Sequence, residues 1–139
     1  MERKMSIYGD SIFVLTLLVC MVVLQAIIAT AAHRKQTQYI PGVVDDQLDH
    51  HSFVFRSHRT FMNSLENVPV FVLTAFLAMF SAIDTTTLYW TIVTFAVARL
   101  IHMILFYKIA TNKNPSPRSY FYMIALLAQL FLLYATLTA

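Results

Sequence analysis

Apolar residues along this chain gather into four long runs instead of alternating with polar ones as they would in a half-buried strand. Nearly charge-free stretches cover residues 11–32, 67–83, 85–98 and 119–139, and the third reaches Tyr107 once Arg99 and His102 are admitted to it. Each is close to the roughly 20 residues an α-helix needs to cross a bilayer, and no series of turn-separated strands competes with that reading. The pattern predicts an all-α membrane protein: a single domain over residues 1–139, folded as a four-transmembrane-helix bundle with helices at about 8–33, 52–82, 85–109 and 117–138.

Composition points the same way: 58% of the residues are hydrophobic and 12% charged, against the roughly 25% charged of an average soluble domain. The first run follows Arg3 and Lys4 and ends in Ala29-Thr30-Ala31, which imitates a signal peptide. It is longer than the roughly 7–15 residues of a signal core, so it reads as a retained span. Cys20 is the only cysteine, which excludes an intrachain disulfide, and its place in the first run makes it a buried apolar filler. Basic residues set the orientation. Arg34, Lys35, Arg56, Arg59, Lys108, Lys113 and Arg118 fall on one side of a four-span chain, with only Arg3 and Lys4 on the other, and the basic side belongs in the cytoplasm. The expected location is an integral, multi-pass one, in the inner membrane of a bacterium or the endoplasmic reticulum of a eukaryote. These cations form no exposed, aromatic-interleaved patch, so no nucleic-acid partner is expected.

The polar exceptions carry the chemistry. Arg56, Arg59, Asn63 and Glu66 are spaced to share one face of the second helix, which then runs into the apolar stretch. An ionisable group at bilayer depth costs roughly 2.5–3.5 kcal/mol on insertion scales, so such a stripe calls for partners or a ligand. Counting about 1.5 Å per residue from the predicted boundaries brings Arg34, Glu66, Arg99 with His102, and Arg118 to one level in the cytoplasmic third of the membrane. The outer two thirds of every helix then read as apolar, which argues against an ion or proton relay across the bilayer. Pro69 is expected to kink the second helix, and Ser116 with Pro117 to open the fourth, leaving Arg118 in its first turn.

The layer suits a small anionic or zwitterionic ligand: arginines fork onto carboxylates, Glu66 holds an ammonium, and Asn63 donates or accepts. A thiol beside Arg118 and a helix N-terminus is pulled toward thiolate, with Ser119 and Tyr122 close enough to join. A structural reading stands beside this one. Arg99–Glu66 or Arg59–Glu66 ion pairs can knit helices together, His102 can be an interhelical histidine, and the aromatics of the last helix can be packing. Asp45, Asp46, Asp49, His50 and His51 lie on a first loop, 33–51, that reads as a solvated turn around Pro41-Gly42 without a fixed frame. No metal site is expected from them.

Three segments resemble one family: R-T-F-M-N-S-L-E-N-V-P (Arg59 to Pro69), A-R-L-I-H (Ala98 to His102) and P-R-S-Y-F-Y (Pro117 to Tyr122). They are similar to the MAPEG family, the membrane-associated proteins in eicosanoid and glutathione metabolism, which include microsomal glutathione transferases, leukotriene C synthase and prostaglandin E synthase. The resemblance covers nearly the whole chain. It implies a homotrimer with glutathione bound between subunits near the cytoplasmic face. Arg59, Asn63 and Glu66 would hold the ends of the tripeptide, and Arg34 would reach in from a neighbouring subunit. Arg99, His102 and Tyr122 would complete the binding wall, while Arg118 and Ser119 would carry the chemistry. The implied activity is transfer of the glutathione thiolate to hydrophobic electrophiles arriving through membrane lipid, with reduction of lipid hydroperoxides as a related reaction. The alternative is a non-catalytic member that binds lipid or a partner, as in the lipoxygenase-activating branch. Phe61, Met62 and Phe106 depart from the polar residues relatives carry there, and the short first loop is similar to bacterial-type members.

Overall fold

The computed structural model describes residues 7–139, which form four α-helices: α1 (Gly9–Arg34), α2 (Phe53–Phe80), α3 (Thr85–Lys108) and α4 (Pro117–Thr138). Arg3 and Lys4, on which the minor side of the charge count rested, lie outside the described residues. All four helices are long and apolar enough to cross a membrane. The helix boundaries follow from local chemistry. Asp84 opens α3 by accepting the Thr87 backbone N–H at 2.8 Å and its hydroxyl at 2.9 Å, bonds that hold the exposed carboxyl below its ordinary pKa. At the start of α4, the Ser116 N–H donates to Ser119 Oγ at 3.2 Å and the Ser119 N–H to the Ser116 carbonyl at 2.8 Å, with Pro117 at the first helical position. α2 runs through Pro69 as one helix.

The helices pack around a core of Leu15 and Leu18, Val68, Phe71 and Ala75, Leu88, Ile92 and Phe95, and Ala125 and Leu132. Phe71 and Phe95 stack with ring centroids 3.7 Å apart and fix α2 against α3. Alanines at 75, 78, 98, 125 and 128 let neighbouring backbones approach closely. Large apolar side chains such as Leu73, Phe80, Trp90 and Leu127 cover the outside, as a lipid-facing surface requires.

Three expectations are corrected here. Cys20 is exposed on the outer face of α1 rather than buried, because the inward seam of that helix is taken by Ser11, Leu15, Leu18 and Gln25. The outer part of the bundle is not wholly apolar: Gln129 Nε2 donates to Thr74 Oγ1 at 2.9 Å. The first loop is not without a frame. After an Ile40–Val43 turn, with Gly42 at φ 77° as its third residue, the Asn112 Nδ2 donates to Asp49 Oδ2 at 2.9 Å and the His50 N–H donates to Asn112 Oδ1 at 3.2 Å. These bonds tie the first loop to the loop between α3 and α4. The Asn112 amide and then the His51 N–H keep Asp49 below the usual carboxylate range.

Candidate functional site

A cavity of about 550 Å³ opens at the end of the bundle where the two long loops meet, within the range of small-molecule sites. Arg59 and Asn63 enter it from α2, His102 and Phe106 from α3, Arg118, Ser119, Tyr122 and Met123 from α4, and His50, Lys113 and Asn114 from the loops. Among the described residues the lining contains three permanent cations, Arg59, Lys113 and Arg118, and no carboxylate. Such a cavity selects anions.

Arg118 sits at the wall with its guanidinium 4.3 Å from the centroid of the Phe106 ring. Its Nη2 donates to the Thr111 carbonyl at 3.0 Å and its Nη1 to the Ile109 carbonyl at 3.5 Å. A guanidinium has five N–H donors, so these bonds fix it and leave others for a ligand. Phe106 thus forms the platform on which Arg118 rests. His102 is 3% exposed, its ring edge-on to Phe106, and its Nδ1 has no partner among the described residues. Tyr122 packs behind it, ring centroids 6.4 Å apart.

Arg99 lies behind this wall rather than on it. It is 1% exposed and donates through Nη2 to Asn63 Oδ1 at 2.8 Å and to Ser64 Oγ at 3.1 Å, so it orients the Asn63 amide that faces the cavity. The Arg99–Glu66 ion pair of the structural reading is not the bond Arg99 makes. Glu66 is exposed, one turn from Asn63 and outside the cavity lining. Arg34 is not brought to this cavity either. It is exposed at the end of α1 and lines a separate one of about 390 Å³ with His33, Tyr39, His58 and Phe61. Ser119 reaches the cavity, but its hydroxyl already accepts the Ser116 N–H. Arg56, the fourth member of the stripe, is buried and bound to the carbonyls of His50 at 2.8 Å, His51 at 3.1 Å and Tyr107 at 3.4 Å. It clamps the first loop to the end of α3. Among the described residues no group of metal-ligating side chains converges.

Against models of known families, the chain matches the MAPEG family over residues 11–138. It belongs to the MAPEG family. No individually curated protein matches it. With four membrane-length helices, this MAPEG chain is an integral, multi-pass membrane protein.

Sequence reasoning passed over His50, Phe106, Asn112 and Lys113 as site residues. His50 packs edge-on against Phe55, ring centroids 4.9 Å apart, and tilted against Phe106 at 5.6 Å. Burial first, and then the Arg118 charge, holds its imidazole below the ordinary histidine range, so it is neutral at pH 7. A neutral histidine, an asparagine and a lysine on two tethered loops form the solvent-side rim of the MAPEG cavity. The pairing of Asp45, Asp46 and Asp49 with His50 and His51 looked like generic loop polarity. Only the Asn112 bonds, far away in sequence, distinguish Asp49 and His50 from their neighbours.

Proposed function

We propose that this protein is a membrane-bound glutathione transferase acting on hydrophobic electrophiles. The observation that carries this reading is the cation-lined, carboxylate-free cavity with Arg118 on its wall in the first turn of α4. Arg59 and Lys113 suit the two carboxylates of glutathione, and Asn63, held by Arg99, suits its peptide groups. The thiol lies against Arg118 and the free amides at the α4 N-terminus, which favour its anion. The thiol proton leaves to solvent on binding. A sulfur lone pair then forms the C–S bond as the leaving group departs with its bonding electrons, or as an epoxide C–O bond opens. In the hydroperoxide-reducing variant the same thiolate attacks a peroxide oxygen, the O–O bond breaks and the alkoxide leaves to take a proton from solvent, and the resulting sulfenic acid condenses with a second glutathione to give the disulfide and water.

The working unit is a homotrimer with the cavity facing the cytoplasm. Glu66 supports assembly: an exposed carboxylate near the inner membrane edge is unfavourable against lipid and needs a cover, which a neighbouring subunit provides. Arg34, remote from the cavity of its own chain, is then available to the cavity of the next, and Glu66 to the glutathione ammonium. Ser119 is a capping residue first and a ligand contact second.

The test is titration of the purified protein with glutathione while following the ultraviolet thiolate band, with S-methylglutathione as the control. Saturable thiolate formation at neutral pH, absent with the methylated peptide, is the expected result. If glutathione produces no saturable, protein-dependent band above that of free glutathione at any pH while lipid still binds, the protein is a non-catalytic lipid-binding member.

A further inference from the structure

Gln25 is the one carboxamide in the first apolar run, and α1 turns it inward with Ser11, Leu15 and Leu18. It is 0% exposed, and neither Nε2 nor Oε1 has a hydrogen-bond partner among the described residues. A carboxamide in that position is costly unless something answers it. The register of the bundle identifies what can. At the outer end of the α1–α2 pair, Tyr8 Oη donates to the Met79 carbonyl at 3.2 Å, and at the inner end His33 and Val54 line one cavity. Equal steps inward from either pair set Gln25 level with Met62, between Thr60 and Ser64, both in the buried seam of α2. Ser64 Oγ accepts from Arg99 Nη2 at 3.1 Å, and the Nε and Nη1 of Arg99 have no partner among the described residues. α1 packs against α3 as well as α2. Two fully buried polar side chains with unpartnered atoms therefore lie at one level of the bundle, Arg99 bonded to Ser64 and Gln25 on the helix that packs against both α2 and α3.

We propose that Gln25 and Arg99 form one polar node at the level of Ser64, and that Gln25 acts as a positioning residue for the ligand cavity. Between them they offer two guanidinium nitrogens, a carboxamide oxygen and a carboxamide nitrogen, partners that suit one bridging water. The node acts in a line. Gln25 restrains the Arg99 guanidinium, Arg99 orients Asn63 Oδ1 through its 2.8 Å bond, and Asn63 turns its amide to the cavity. Arg99 meets no carboxylate among its hydrogen-bond partners, so a neutral carboxamide restrains it without cancelling its charge. As a statement about affinity, this rests on glutathione being the occupant.

The experiment compares wild type, Gln25→Leu, Gln25→Glu, Arg99→Lys and the Gln25→Leu/Arg99→Lys double variant. The readouts are glutathione dissociation constants by calorimetry, turnover at saturating glutathione, and ligand-free melting. Gln25→Leu is expected to weaken glutathione about tenfold with saturated turnover within twofold. Gln25→Glu, which keeps an acceptor for Arg99, stays within about threefold of wild type in affinity. The double variant is expected to be no weaker than the worse single one by more than about twofold, because both changes break one node. A space-filling role for Gln25 predicts the reverse order, with Leu harmless and Glu disruptive, and that order overturns the proposal. If wild type binds no glutathione, the functional reading falls and the melting series judges the node alone: non-additive losses uphold it and additive ones overturn it.

Discussion

Arg118→Gln tests the chemistry most directly, because the shorter amide keeps the aliphatic stem and an N–H donor while removing the charge and the reach of Nη2 to the Thr111 carbonyl. Two unit charges about 4 Å apart interact by about 4 kcal/mol at an effective dielectric near 20. Arg118 is buried, but it sits on the wall of an open cavity and shares its donors with two carbonyls, so roughly a third to two thirds of that value reaches the sulfur. At 1.36 kcal/mol per pKa unit this is a depression of about one to two units from the ordinary thiol value near 8.5. The helix N-terminus adds about 0.3–1 kcal/mol more, which the variant retains. Bound glutathione should then ionise near pH 6–7 in the wild type and near 8 in the variant, an approximately five- to tenfold loss of thiolate at pH 7. The pH dependence of turnover with a chlorinated dinitrobenzene at saturating glutathione reads this directly. The inflection is expected to move up by about one to two units, with the two rates converging above pH 9. If the inflection stays in place while the overall rate drops at every pH, Arg118 holds the α3–α4 loop and does not stabilise the thiolate.

Ser119→Ala should lower thermal stability by about 1 kcal/mol, since it removes the acceptor of the Ser116 N–H, and leave turnover within a few fold; a loss of a hundredfold or more would make Ser119 a catalytic group. Glu66→Gln should weaken glutathione binding by about tenfold in calorimetry, and an unchanged dissociation constant would remove Glu66 from the proposed site. His50 should titrate below pH 6.5 by NMR, because burial and the Arg118 charge both disfavour its proton. The sign follows: the unfolded chain binds a proton first, so the His50 contribution to stability is complete above pH 6.5 and declines as pH falls toward the folded value. In Arg118→Gln that titration should move back up, and a His50 that titrates at an unshifted value in wild type would mean the cavity rim is more open than the packing against Phe55 and Phe106 indicates.

The spans were legible because each apolar run is bounded by residues that stop helices or start them, such as Asp84 and Ser116-Pro117. The site was legible by depth and not by azimuth. Counting residues places Arg34, Glu66, Arg99 and Arg118 at one height, but spacing within a helix does not say how four helices are rotated against each other. Arg34 and Glu66 therefore face away from the cavity their own chain builds, and Arg99 stands behind Asn63 instead of beside it. Phe106 read as a lost hydroxyl, because a cation over a ring requires knowing that α4 returns to α3 at that point. The loop residues were hardest. Asp49 and Asn112 are 63 residues apart and meet only once all four helices are packed.

The four helix-borne arginines nearest the cavity can be ranked by how many acceptors the chain itself supplies. Arg56 donates to three backbone carbonyls, has an Nε with no partner among the described residues, and is buried outside the cavity lining, so its charge serves the loop clamp. Arg99 gives one nitrogen to Asn63 and Ser64 and is equally remote from solvent. Arg118 donates to two carbonyls and still reaches the cavity, which suits a group that must be rigid and yet face a reacting atom. Arg59 is half-buried on the cavity wall, and no hydrogen bond among the described residues engages its guanidinium. An unsatisfied guanidinium makes a poor catalyst and a good anchor, since a carboxylate offers it the bidentate bonds the protein does not. Affinity should therefore depend more steeply on Arg59 than on Arg118, and rate more steeply on Arg118 than on Arg59.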